Sequence, residues 1–152
     1  MIAIENPAQR LQVYLDVDGT LLYFPEDGRG RDELDWQHLC DGIDPLLDYV
    51  VRHCEPYWLT YRARLGRADR LEERLLPHLP PVARSIPVAY WDDSKHEAFD
   101  PARRFVWFDD DPDPEALEWL ERQNLAHALV RTRTASRDNP LHMLETLKRL
   151  VG

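Results

Sequence analysis

Two aspartates stand two residues apart directly behind an apolar run, in the stretch YLDVDGTLLYF from Tyr14 to Phe24. Taking a carboxylate out of water is costly unless a partner compensates it. Asp16 and Asp18 therefore read either as an acidic turn or as a site that needs fixed negative charge. A hydroxyl, a lysine and a second acidic cluster follow, each again behind an apolar run: Thr60 after PYWL, Lys95 after VAYWDDS, and Asp109, Asp110, Asp111 and Asp113 after RFVWF. As a set, these groups can do phosphoryl chemistry. A carboxylate at Asp16 can attack phosphorus and form an aspartyl-phosphate, splitting one hard displacement into two easier ones. Bringing an anion to an anion calls for a hard cation, and oxygen ligands from Asp16 and the later acids suit Mg²⁺. Asp18 can protonate the leaving oxygen and then take the proton of the attacking water. Gly19 lets the backbone approach a phosphate closely. Thr60 can donate to phosphoryl oxygens, and Lys95 can neutralise charge on the nucleophile and in the transition state.

Each residue also has a plainer reading. Asp18-Gly19 is a good turn dipeptide, Thr60 could merely end a strand, and Lys95 could be a solvated loop lysine. Asp109 to Asp113 could be an acidic helix start favoured by the dipole. It is their ordered recurrence at the ends of apolar runs that points to a site.

The elements that must position these groups are legible from periodicity. Five short apolar runs, Leu11–Leu15, Tyr57–Leu59, Ile86–Trp91, Phe105–Phe108 and Ala128–Val130, lack polar alternation, as expected of strands buried on both faces. Between them lie helical segments. Asp44-Pro45, Asp113-Pro114 and Asn139-Pro140 each read as an N-cap followed by a first-turn proline. Leu46, Leu47, Val50 and Val51 then share one face, as do Leu117 and Leu120. A further helix is predicted around Arg67 to Leu76, stopped by Pro77. Strands alternating with helices predict an α/β domain with a mostly parallel sheet of about five strands and helices on both faces. Ligands in such sheets bind beyond the carboxyl ends of the strands, which is where the candidate residues fall.

The whole chain narrows the choices. Its 152 residues suit a single domain spanning 1–152, with 43% hydrophobic and 31% charged residues. A net charge of -9 disfavours extended nucleic-acid binding and docking to an anionic membrane. The basic stretches YRARLGRADR and RTRTASR read first as solvated faces, with a phosphate as the other reading. Arg62 and Arg64 follow Thr60 closely enough to reach a phosphate or leaving group. Cys40 and Cys54 form no CxxC, Met1 to Arg10 has no apolar core, and no stretch suits a bilayer span, so a cytoplasmic protein is expected.

LDVDGTLL resembles the first motif of the haloacid dehalogenase (HAD) superfamily, YWLT its second, Lys95 is placed like its third, and VWFDDDPD is similar to its fourth. The resemblance runs from about Leu11 to Asp113. It implies a Rossmann-like three-layer sandwich and a magnesium-dependent phosphatase of the small capless kind. It also implies Asp16 as nucleophile and metal ligand, and Asp18 as acid/base binding metal through its main-chain carbonyl. Thr60 and Lys95 take the phosphate-binding roles. In the fourth motif Asp109 pairs with Asp110 or with Asp113, and Asp111 is a further candidate. Asp109 with Asp110 is preferred, because Asp113 suits the N-cap before Pro114.

Residues 22–40 are predicted to form only a flap over the site, with its tip at Asp27-Gly28 and Gly30 and its return through Trp36 to Cys40. An open site of this kind admits large phosphorylated substrates, macromolecules included. Two rival readings stand beside the enzyme. One is a metal- and phosphate-binding regulatory module with little turnover. The other is a phospho-acceptor receiver domain, whose chain order differs because receivers place the acidic pair early.

Overall fold

Strands buried on both faces need helices above and below them, and the chain supplies both. The computed structural model describes residues 9–25 and 35–152. Strands β1 (Gln12–Leu15), β2 (Glu55–Trp58), β3 (Phe105–Asp109) and β4 (Leu129–Arg131) form one parallel sheet in the order β2-β1-β3-β4. Successive side chains of a strand point to opposite faces, and both faces here are apolar. Val13 and Leu15 of β1, with Val106 and Phe108 of β3, join one cluster with residues of α1 (Ile43–His53) and α4 (Asn139–Val151). Tyr14, Phe105 and Trp107 join the other with Ala116 and Leu120 of α3 (Pro114–Arg122). The result is three layers.

The run Ile86–Trp91 does not add the fifth strand expected from its composition. It meets β2 through one parallel bridge, Trp58 with Val88, in which the Trp58 N–H donates to the Pro87 carbonyl and the Ala89 N–H to the Trp58 carbonyl. Extending the ladder backwards would need N–H donors from Pro56 and Pro87, and proline has none. Ahead of the bridge, the Trp91 indole takes the Thr60 carbonyl at 3.0 Å instead of the main chain doing so.

Of the three proline-marked helix starts, only Asp113-Pro114 works as expected, the Asp113 side chain accepting the Ala116 N–H. Helix α1 begins a residue before Asp44, behind Gly42 at φ +86°, where a Cβ would stand 2.5 Å from Leu141 of α4. Close packing of two helices decides that start. Asn139 lies inside α4, its side chain committed elsewhere. The helix expected over Arg67 to Leu76 shrinks to α2 (Asp69–Glu72), followed by a 3-10 turn at Leu76–His78. The base of the flap is an antiparallel pairing of Leu22 with Leu39. Its tip at Asp27, Gly28 and Gly30 lies outside the described residues. No helix among the described residues is long and apolar enough to cross a membrane.

Candidate active site

From β1 the chain runs outward to β2 and then returns to place β3 on the other side of β1. Crevices in open α/β sheets form at such a switch point, beyond the strands' carboxyl ends. Asp16 follows β1, Asp109 ends β3, and the pairing of Leu15 with Phe108 sets the two acids side by side. Carboxylate oxygens of Asp16, Asp109 and Asp110 all lie within 4.8 Å of one another. Asp16 and Asp109 are buried, and Asp110 is half-buried.

Lys95 reaches into this cluster from the segment before β3. It is 1% exposed, and its ammonium donates to Asp16 Oδ1 at 3.1 Å and Asp109 Oδ2 at 2.6 Å. The turn that carries it is held twice over. Ser94 and Glu97 form a capping box, and the Glu97 carboxylate also accepts the N–H groups of Asp92 and Asp93. Asp113 accepts from Ser94 Oγ at 2.6 Å and Ala116 N–H at 3.0 Å through one oxygen, and from Lys95 N–H through the other. One side chain thus caps α3 and anchors the lysine turn. Asp113 stands outside the carboxylate cluster. Asp92 and Asp93 are exposed and take no part in it either.

Burial raises the affinity of Asp16 for a proton well above the usual carboxylate range; Lys95 pulls it down, and Asp109 and Asp110 push it up again. Asp109 is raised by burial as well, against the pull of Lys95. Burial alone would lower Lys95, but the two carboxylates outweigh it and hold the ammonium above its ordinary value. A third acid beside a pair already sharing one lysine leaves negative charge in excess. The cleft over the cluster, about 180 Å³, is lined by five aspartates (16, 18, 109, 110 and 111) and one lysine, with Phe24 and Tyr61 at its sides. A larger hollow of about 240 Å³ lies between β4 and α4 and is lined by Arg131, Arg133 and His142 among others, without such a cluster.

Asp18 lines the cleft, and Arg62 forks onto its two oxygens at 2.8 and 3.0 Å. Thr60 is fully buried two residues past β2, its hydroxyl accepting the Arg62 N–H at 3.1 Å, and Tyr61 rather than Thr60 lines the cleft. Gly19 has φ +80°, and a Cβ there would fall 2.0 Å from Asp110 Oδ2. The room that Gly19 opens is filled by a carboxylate.

The loop between β4 and α4 supplies contacts that sequence reading did not find. Thr20 donates to Asp16 Oδ2 at 3.2 Å and meets the Thr132 hydroxyl at 2.8 Å. Thr134 donates to Asp110 Oδ2 at 2.7 Å. The Asn139 amide reaches the Gly19 carbonyl at 3.3 Å while bracing the Arg133 backbone. The density of hydroxyls in RTRTASRDNP is the one local hint.

No protein-family model matches this chain, and no curated protein matches it significantly. The site is therefore read from its own donor set. Those donors are hard oxygens, the kind Mg²⁺ takes. An octahedral Mg²⁺ places opposite ligands about 4.2 Å apart, twice a bond of ~2.1 Å, and three carboxylate oxygens within 4.8 Å of one another could hold an ion of that kind.

Proposed function

We propose that this protein is a Mg²⁺-dependent phosphomonoesterase working through an aspartyl-phosphate on Asp16, a capless member of the HAD superfamily. The observation that carries the reading is a lysine buried between two strand-end carboxylates, with a third carboxylate in contact and a cleft opening above them. A structural ion pair needs one acid for its lysine, and the extra acids only add repulsion unless a cation joins them.

Asp16, Asp109 and Asp110 would hold the cation, together with the Asp18 main-chain carbonyl that the resemblance implies. Once bound, it would offset the repulsion between phosphate and nucleophile. An Asp16 oxygen bonds to phosphorus as the ester P–O bond breaks, and the leaving oxygen takes a proton from Asp18. Water then attacks phosphorus, the P–O bond to Asp16 breaks, and Asp18 takes the water's proton. Lys95 opposes protonation of Asp16 and keeps its carboxylate aimed. Thr60, buried behind Tyr61, serves the site from outside the cleft, its hydroxyl accepting the Arg62 N–H. The partner is a phosphorylated substrate, large ones included, because residues 22–40 are too few to supply a cap domain.

Release of phosphate from an aryl phosphate tests this directly. Wild type should require Mg²⁺, and Asp16→Asn should fall by at least about a thousandfold, as when a nucleophile is removed. Equal release by the two proteins would sink the proposal.

A further inference from the structure

We infer that Arg62 is a positioning residue for Asp18, fixing the plane in which that carboxyl group meets the leaving oxygen; the inference rests on the phosphohydrolase reading above. Arg62 is 7% exposed, whereas the Asp18 side chain is 38% exposed and faces the cleft. The two donate and accept as a fork, Nε to Oδ2 at 3.0 Å and Nη2 to Oδ1 at 2.8 Å. In an exposed ion pair both partners wander, and little is gained. Here one partner is built in and the other is held by it.

The arginine is rigid because its turn is. The Arg62 N–H donates to Thr60 Oγ1, the Ala63 N–H to the Thr60 carbonyl at 3.0 Å, and the Trp91 indole to that same carbonyl. A cation fixed in the turn after β2 thus clamps an acid that follows β1. Two parallel hydrogen bonds set orientation as well as position, which a single lysine contact does not. A carboxylate has about four lone-pair sites. The fork occupies one on each oxygen and leaves another on each for the travelling proton. In this role Arg62 acts on the ester through Asp18.

Such a role has a signature that simple structural support lacks. Proton donation matters greatly when the leaving group is an alkoxide and little when it is p-nitrophenolate. The experiment measures kcat and KM of wild type, Arg62→Gln, Arg62→Lys, Asp18→Asn and the double variant Asp18→Asn/Arg62→Gln on p-nitrophenyl phosphate and on a simple alkyl phosphate. Arg62→Gln should lose about a hundredfold in kcat/KM, which reports the step that expels the leaving group, on the alkyl ester, in the range of a general-acid contribution. On the aryl ester kcat/KM should lose less than about tenfold. Arg62→Lys, which keeps the charge but not the fork, should show the same selectivity to a smaller degree. In the Asp18→Asn background the arginine substitution should cost nothing more.

Equal losses of kcat/KM on the two esters, or no loss on either, would overturn the inference. Thermal melts accompany the kinetics. If Arg62→Gln does not fold, the selectivity of Arg62→Lys decides alone. A wild type no faster than Asp16→Asn on either ester overturns the phosphohydrolase reading and this inference together. An active wild type with uniform Arg62 losses overturns this inference only.

Discussion

Lys95 is the residue on which the site's charge balance turns. It is shared by Asp16 and Asp109, and nothing else among the described residues brings a positive charge between those two strand ends. Lys95→Met should therefore destabilise the metal-free protein by about 3–5 kcal/mol, the usual cost of orphaning a buried charge, as read from urea denaturation. Both carboxylates bind protons more readily folded than at their ordinary value of 3.8. Folding thus takes up protons at these sites. Their contribution is fullest below that value and is lost as pH rises through the higher folded values. The cost of Lys95→Met should accordingly shrink at acid pH, where protonation relieves the two acids. A penalty that stays constant from neutral pH to pH 4 would contradict this. Gly19 is the second residue with no substitute. Gly19→Ala meets Asp110 head-on at a positive φ, so it should cost about 1–3 kcal/mol and weaken Mg²⁺ half-saturation at least about tenfold, seen in a metal titration of activity.

At the scale of elements, the lysine turn and α3 are one unit welded by Asp113. Asp113→Ala removes an N-cap, worth about 1 kcal/mol, and loosens the turn that aims Lys95. Denaturation and kinetics on one preparation should show both the modest loss of stability and a fall in kcat of several-fold. A stability loss with full kcat would show that the turn holds itself. This double duty was half legible: Asp113 before Pro114 announced a cap, but nothing local announced Ser94 as its second partner, 19 residues away. Thr134 on Asp110 and Asn139 on Gly19 were hidden for the same reason, since a hydroxyl or amide carries no sequence mark of a partner that only tertiary packing brings near. The missing fifth strand could have been read, because Pro56 and Pro87 remove the donors a ladder there would need.

For the whole molecule, the parallel sheet explains why so much of the site could be read at all. Strands buried on both faces show as plain apolar runs, and parallel pairing brings their carboxyl ends to one edge. Acids after β1 and at the end of β3 therefore had to meet. What pattern alone could not reveal was which face of each turn looks into the cleft, as Tyr61 does in place of Thr60. On the proposed reading, the same architecture makes metal binding a property of the folded chain. Millimolar Mg²⁺ should raise the melting temperature more at pH 7.5 than at pH 5, because protons compete for carboxylates whose affinity for them is raised. A shift that is equal at both pH values would place the cation elsewhere.

On the proposed mechanism Asp16 carries the phosphoryl group during turnover. Acid quenching within the first turnover in Mg²⁺, followed by peptide mass mapping, tests this most directly. Wild type should carry one added phosphoryl group on Asp16, and Asp16→Asn none. Turnover with Asp16 unmodified at every quench time, or with the group on another residue, would contradict it.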